Sequence, residues 1–234
     1  MSMKNKIDVL IVHYNQPEML ECLIRSLNRH SDCRIHIFDN SDEYPYKGNH
    51  SNVEILDNTR GQIVNFDEWL KQFPERRTSA RANFGSAKHC KSIDKCFDLL
   101  PNGFVLMDSD VLIKKDISEF WDERYAWAGE ATWETHEGVR VKRLLPFCCY
   151  INVPLLRKHG IKYFNGDWMW HLKPTNPHKY YDTGAWFLKT CTENAMPHKQ
   201  MEINPYIEHY GHGSHIFLNE SMGDWLYEHK ELWK

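Results

Sequence analysis

The stretch that decides the fold runs from Phe104 to Ile113 and reads Phe-Val-Leu-Met-Asp-Ser-Asp-Val-Leu-Ile. Its apolar residues on either side of Asp108 and Asp110 are typical of a strand that is buried on both faces. Two unpaired carboxylates are costly to bury, so we expect the strand to end there, beside a cleft that holds a cation. Because side chains alternate along an extended backbone, the Asp-x-Asp spacing places both carboxylates on the same side.

The chemistry of these carboxylates indicates which cation would bind. Oxygen ligands suit Mg²⁺ or Mn²⁺, and these ions usually also hold substrate phosphates. The stretch therefore predicts a metal–diphosphate site. The alternative is an ordinary strand end, at which Asp108 or Asp110 caps the next element.

Length and composition limit the kind of protein that this chain can be. It has 234 residues, of which 41% are hydrophobic, enough for a sizeable core in one large domain. We interpret residues 1–234 as a single domain with an α/β first half, 1–115, and a more aromatic second half, 116–234. The formal net charge of −3 argues against a nucleic-acid binder, which usually has a basic excess.

The cysteines and the N-terminus predict a compartment. The seven Cys form no repeated Cys-x-x-Cys pairs, which favours a reduced, cytoplasmic chain. The polar segment Met1–Lys6 lacks the apolar core of a signal peptide, and no run of 18 apolar residues follows. Peripheral association with the inner face of a membrane stays open.

Apolar runs and their spacing predict alternating strands and helices in the first half. Strands are expected at 7–13, 34–38, 53–56 and 104–113, and helices at 17–30, 66–73 and 83–100. Each predicted strand ends in polar residues, and in open α/β sheets ligands bind outside those carboxyl ends. In the second half we expect strands at 125–132, 139–152 and 203–210, with helices at 114–121, 154–159, 184–188 and 221–234.

A late histidine-rich segment, His209-Tyr-Gly-His-Gly-Ser-His215, is a further candidate site. Three histidines at this spacing could bind zinc. The glycines between them favour a loop over a helix, and the segment lacks the His-Glu-x-x-His pattern of zinc proteases.

The order of these motifs resembles the GT-A fold of nucleotide-sugar glycosyltransferases, and more narrowly the family-2 group. The resemblance covers about the first half of the chain and is carried by residues 9–15, 35–40, 83–85 and 104–110. It implies a Rossmann-like α/β domain with a mixed, mainly parallel central sheet flanked by helices. Residues 1–115 would then be the nucleotide-binding half and 116–234 the acceptor-binding half.

The resemblance also implies roles for individual residues. Asp108 would lie near the ribose and donor sugar, and Asp108 and Asp110 would ligate the metal that bridges the two phosphates. His209 would be the late metal ligand or phosphate contact, with His212 as its competitor. The remaining donor contacts are assigned to residues at the ends of the first two strands, around the Asn-x-Gly motif and between the two aspartates: His13, Tyr14, Asn15, Asp39, Asn83, Lys88 and Ser109.

The catalytic base is less clearly marked. An inverting transfer needs a carboxylate near the acceptor hydroxyl, and the Glu-Asp pair of family 2 is missing at the expected place. We choose Asp182 in Tyr-Asp-Thr-Gly-Ala-Trp, with Asp167 in Asn-Gly-Asp-Trp as second choice. Asp182 could instead be only a helix N-cap. Residues 108–121 are also similar to the retaining family-8 transferases, which would not need such a base.

We therefore expect a metal-dependent glycosyltransferase that moves a sugar from a nucleoside-diphosphate sugar, with UDP favoured, to a glycan or lipid-linked acceptor in polysaccharide assembly. One alternative is a sugar-phosphate nucleotidyltransferase. Such an enzyme would need a glycine-rich basic loop directly after the first strand, where this chain has His-Tyr-Asn-Gln-Pro17. The other is a catalytically inactive or metal-dependent glycan-binding protein of the same fold.

Overall fold

The computed structural model describes residues 6–72, 84–136, 139–164, 182–210 and 220–232. Eleven strands lie in the described residues: β1 Ile7–His13, β2 Cys33–Asp39, β3 Val53–Asp57, β4 Phe104–Asp108, β5 Val111–Ile113, β6 Trp127–Gly129, β7 Ala131–His136, β8 Val139–Leu144, β9 Cys149–Ile151, β10 His198–Gln200 and β11 Ile207–His209. Seven of them form one sheet in the order β10-β6-β9-β4-β1-β2-β3.

The direction of the strands confirms the predicted mixed, mainly parallel sheet. β1 runs parallel to both β2 and β4, β2 parallel to β3, and β6 parallel to β10. β9 is antiparallel to its neighbours β4 and β6. Strands from both halves of the chain therefore share one sheet.

Helices cover both faces of this sheet. The α-helices of the described residues are α1 Pro17–His30, α2 Phe66–Lys71, α3 Phe84–Leu99, α4 Val153–Lys158, α5 Ala185–Glu193 and α6 Glu220–Glu228. α1 begins at a proline, whose fixed φ suits the first turn of a helix.

The sheet buries its two faces in two separate apolar clusters. Val9 and Ile11 pack in the cluster that contains Leu23 of α1. Leu10, the residue between them, packs in the cluster that contains Ile93 of α3. Burial on both faces explains why β1 is apolar without alternation, as parallel strands in α/β proteins are.

The structure corrects several predicted boundaries. Residues 104–113 are two strands rather than one, because a turn at Ser109 and Asp110 separates β4 from β5. The expected strands 125–132 and 139–152 are each interrupted, which gives β6 to β9. Residues 114–121 contain only a turn of 3-10 helix at Ser118–Phe120, and 203–210 contain only β11 as strand. β10 was not anticipated.

Two small sheets complete the architecture. Within the part of the chain that the structure describes, β7 and β8 form a two-stranded sheet, and β5 pairs antiparallel with β11. All seven cysteines are buried free thiols. Among the helices that the structure describes, none combines the length and the apolar character needed to span a bilayer.

Candidate active site

The carboxyl ends of three neighbouring strands bring candidate residues to one edge of the main sheet. His13 ends β1 and is paired in register with Asp39, which ends β2. Asp108 ends β4 and pairs with Val12. We call this edge, defined by His13, Asp39 and Asp108, the carboxyl edge. The sequence placed these residues correctly, because parallel neighbours end on the same side of a sheet.

A potential metal site lies at the carboxyl edge. Asp108, Asp110 and His209 each offer one ligand atom, and these three atoms all lie within 4.8 Å of one another. Asp110 is buried, while Asp108 and His209 are partly exposed. We call these three residues the Asp-Asp-His cluster. Two carboxylates and one imidazole form a donor set that suits Mn²⁺ or Mg²⁺.

The two aspartates converge for a reason other than the one predicted. The sequence argument relied on an extended backbone that points residues i and i+2 to the same side. In the structure β4 ends at Asp108, and Ser109 and Asp110 form a turn. The turn, rather than strand alternation, brings the two carboxylates together.

His209 reaches the cluster through backbone pairing. It lies on β11, where it pairs with Val111 of β5, directly after Asp110. Its Nε2 is 3.4 Å from Oδ1 of Asp110. The imidazole also stacks on the Phe147 ring, with 3.6 Å between ring centroids, which fixes the plane of the ring.

His89 was missed by the sequence analysis. It lies on α3, next to the predicted Lys88, and its Nε2 is 3.3 Å from Oδ1 of Asp108. A single histidine on a helix forms no recognisable sequence motif. Its contact with Asp108 is therefore visible only in the structure, where α3 packs beside β4. The predicted Lys88 places its ammonium group 5.6 Å from the centre of the Phe66 ring.

The loops that follow β1 and β2 are cross-linked to each other. Asn15 adopts a left-handed backbone with φ 54°. Its backbone N–H donates to Oγ of Ser41, and its side-chain amide donates to Asp42. The Tyr14 hydroxyl donates to the other oxygen of Asp42 at 3.0 Å, while the residue as a whole remains 38% exposed. These bonds hold the two loops together and leave Tyr14 partly exposed to solvent.

Asp39 and His13 are buried at the ends of the two strands that lead into these loops. Asp39 is 1% exposed and accepts backbone hydrogen bonds from Ser41 and Tyr46, which shape the second loop. His13 is fully buried, and burial lowers its pKa to about 4 despite the nearby Asp39 charge. The imidazole is therefore neutral at physiological pH.

Asp182 lies at the start of α5, where three groups of the described residues hold it. Its Oδ1 accepts hydrogen bonds from the Ser86 hydroxyl and the Thr183 backbone N–H, each at 2.7 Å. Its Oδ2 lies 3.6 Å from a guanidinium nitrogen of Arg143. The N-cap residue of α5 is Gly184, so Asp182 is not the cap.

Arg143 connects Asp182 with the Asp-Asp-His cluster. It also makes two hydrogen bonds to Glu134, at 2.7 and 2.9 Å, across the β7–β8 hairpin. Although burial lowers the pKa of Arg143, its bond to Glu134 and the charges of Asp182, Glu134 and Asp108 outweigh that effect and raise it. Its guanidinium carbon is 5.9 Å from the centre of the Phe147 ring that stacks on His209.

Three candidates, Asn83, Asp167 and His212, lie outside the described residues. Ser109 is partly exposed in the turn between the two aspartates.

A cavity of about 870 Å³ opens near the opposite end of the strands, beside Asp8 of β1 and Arg34 of β2. None of the described candidate residues lines that cavity.

Known proteins resemble this chain in structure but not in sequence. No protein-family model matches the chain, and no curated protein matches it by sequence. Among solved structures, the galactosyltransferase LgtC in complex with donor and acceptor sugar analogues matches with a TM-score of 0.57 at 12% identity. That match covers 97% of this chain and 95% of the other.

Two further glycosyltransferases share the fold. The apo bifunctional glycosyltransferase WbbM matches with a TM-score of 0.51 at 13% identity, over 87% of this chain and 40% of its own. The glycosyltransferase GlyE of Streptococcus pneumoniae TIGR4 matches with a TM-score of 0.50 at 12% identity, over 96% and 60%. The chain thus spans about half the length of these two proteins. At these identities the likeness shows the fold, and the predicted GT-A fold is confirmed.

Proposed function

We propose that this protein is a metal-dependent glycosyltransferase that moves a sugar from a nucleoside-diphosphate sugar to a hydroxyl of a glycan or lipid-linked acceptor. We favour UDP as the nucleotide. The observation that carries the proposal is the Asp-Asp-His cluster at the carboxyl edge of a GT-A sheet. Oxygen and imidazole ligands are the kind that hold a divalent ion on a diphosphate.

The residues of the cluster fit Mn²⁺ or Mg²⁺. Asp108, Asp110 and His209 would hold the ion from one side, which leaves the other side for water and phosphate oxygens. The bound ion supplies charge neutralisation at the diphosphate, which makes it a better leaving group.

The loops after β1 and β2 would bind the nucleoside. The ring of the partly exposed Tyr14, anchored by its hydroxyl to Asp42, offers a flat surface on which a base can stack. Asn15 and Asp39 would fix the shape of the second loop, because each accepts a hydrogen bond from its backbone. Ser109, Lys88 and the undescribed Asn83 complete the proposed donor set.

Asp182 is our proposed acceptor-side carboxylate, with Asp167 as second choice. In the described contacts its Oδ1 is occupied by hydrogen bonds, whereas Oδ2 faces only the guanidinium of Arg143. Oδ2 is therefore the atom that would meet an acceptor hydroxyl. If the transfer inverts the anomeric carbon, Oδ2 takes the hydroxyl proton; if the transfer retains configuration, Asp182 only orients the acceptor. The anomeric configuration of the product, read by NMR, separates these two roles.

The test is donor turnover with a matched pair of variants. Each nucleoside-diphosphate sugar is incubated with the protein and Mn²⁺, and release of nucleoside diphosphate is followed with and without glycan acceptors. We expect one nucleotide to be released in a metal-dependent reaction that Asp110→Asn abolishes. Asp32→Asn, which changes an exposed carboxylate paired with Lys6, is the control and should turn over normally. Metal-independent turnover, or equal activity of the two variants, would contradict the proposal.

A further inference from the structure

His89 is a partly buried polar residue that the sequence motifs do not explain. It lies on α3 among residues that pack tightly against the sheet, such as Ala87, Cys90 and Ile93, all of which are at most 1% exposed. This packing fixes the position of α3 and therefore the backbone position from which the His89 side chain extends. The side chain is 18% exposed as a whole, but its Nε2 atom is shielded from solvent.

The Nε2 atom of His89 faces one charged group. It is 3.3 Å from Oδ1 of Asp108 but is not aligned for a hydrogen bond, and it has no other hydrogen-bond partner within the described residues. A buried nitrogen without a partner is costly, so a small rotation that completes the bond to Asp108 is favourable.

His89 does not itself complete the metal site. The ligand atoms that lie within 4.8 Å of one another are those of Asp108, Asp110 and His209, and His89 is not among them in the described part of the chain. Of the three members of the cluster, it contacts Asp108. A residue that hydrogen-bonds a metal ligand, without binding the metal itself, sets the orientation of that ligand.

We propose that His89 is a positioning residue for Asp108: its Nε2–H donates to Oδ1 and keeps the other carboxylate oxygen directed at the divalent cation. The bond requires an imidazole that carries a proton on Nε2. It restricts rotation of a carboxylate at the very end of β4, which has no following strand residue to hold it. The inference rests on the proposed metal-dependent function.

The test measures cation binding directly, without turnover. Mn²⁺ is titrated into the full chain by calorimetry for the wild type, His89→Leu, His89→Gln and Asp110→Asn. Leucine keeps most of the volume but has no donor, whereas glutamine places an N–H close to the position of Nε2. Lys95→Ala is the control, because it changes a partly exposed residue of the same helix that pairs with Asp98. Melting temperatures verify that each variant is folded.

We expect His89→Leu to weaken Mn²⁺ binding by about 10- to 100-fold, the usual cost of removing an outer-shell partner. His89→Gln should recover most of this loss, and Lys95→Ala should bind as the wild type does. Wild-type affinity in His89→Leu, with binding lost in Asp110→Asn, would overturn the inference and leave the proposed function standing. Equal losses in the leucine and glutamine variants would also overturn it, because a donor role predicts rescue. A wild-type protein that binds no Mn²⁺ would overturn both proposals.

Discussion

Asp110 and His209 meet through a short antiparallel pair of strands, with Nε2 of the histidine 3.4 Å from Oδ1 of the aspartate. The backbone N–H of Tyr210 donates to the carbonyl of Asp110 at 3.0 Å, and Lys114 N–H donates to Tyr206 at 2.7 Å on the other side of the pair. The Asp-Asp-His cluster is therefore built by backbone hydrogen bonds between the two halves of the chain.

His209→Ala should weaken Mn²⁺ binding without unfolding the protein. The substitution removes one of three ligands but leaves the β5–β11 hydrogen bonds, which belong to the backbone. We expect a loss of at least about tenfold, in the range seen when the support of a metal site is removed. Calorimetric titration of Mn²⁺ measures it, with the exposed His159→Ala as control. Unchanged affinity in His209→Ala would remove His209 from the site.

Arg143→Met should destabilise the protein and loosen Asp182. Arg143 is largely buried between Glu134 and Asp182, with a 12% exposed side chain. Removing one partner of a buried ion pair costs about 3–5 kcal/mol, because the remaining charges stay buried without compensation. Urea unfolding measures the change in the free energy of unfolding.

A double variant separates the two partners of Arg143. If Arg143 stabilises the protein through its ion pair with Asp182, Arg143→Met should lower the free energy of unfolding less in an Asp182→Asn background than in the wild type. Arg143→Lys should recover only part of the stability, because an ammonium group cannot reproduce two hydrogen bonds to Glu134. Additive losses in the double variant would show that Asp182 and Arg143 act independently.

Gly184→Ala should destabilise the start of α5 and displace Asp182. Gly184 has φ 81°, a left-handed backbone that costs other residues about 1–2 kcal/mol. A Cβ atom there would also lie 2.0 Å from the carbonyl oxygen of Leu144 at the end of β8. We expect a lower melting temperature and weaker acceptor binding. Gly160→Ala is a useful comparison, since Gly160 also has positive φ, at 66°, but open space around its Cβ position. Equal melting temperatures for the two variants would argue against the close contact with β8.

His13 should make the protein less stable below neutral pH. Burial lowers its pKa to about 4, whereas the unfolded chain has the ordinary value near 6.5. Above pH 6.5 neither state binds the proton; between 6.5 and 4 only the unfolded state does, so stability falls as pH falls. From these values we expect about 2 kcal/mol of loss between pH 7 and pH 5. Urea unfolding of the wild type and His13→Leu measures it. The slope with pH should be shallower in the variant, and parallel slopes would show that another group is responsible.

Much of the first half could be predicted from the sequence. β1, α1, β2 and β3 lie within a residue of their expected bounds, because an apolar strand buried on both faces and a helix that begins at a proline leave strong local patterns. The approach of Asp108 to Asp39 and His13 follows from the same patterns, since parallel neighbours end at one edge.

The parts that failed depend on contacts between distant residues. Nothing local in residues 104–113 marks the turn at Ser109, because Val111, Leu112 and Ile113 continue the apolar pattern while joining a different sheet. His89 and Arg143 have no motif around them, and their roles follow only from what α3 and β8 pack against. His209 was predicted by resemblance, but its pairing with β5 could not be read from the sequence.

The most direct test of the central claim is thermal stability with UDP, GDP, CDP and dTDP, each with and without Mn²⁺, for the wild type and Asp110→Asn. A ligand at about 100 times its dissociation constant adds roughly 2.7 kcal/mol to the free energy of unfolding. We predict stabilisation of the wild type by one nucleotide, UDP, only when Mn²⁺ is present, and none of Asp110→Asn. Equal stabilisation with and without Mn²⁺ would contradict a metal–diphosphate site at the Asp-Asp-His cluster. Equal stabilisation of the wild type and Asp110→Asn would contradict it too.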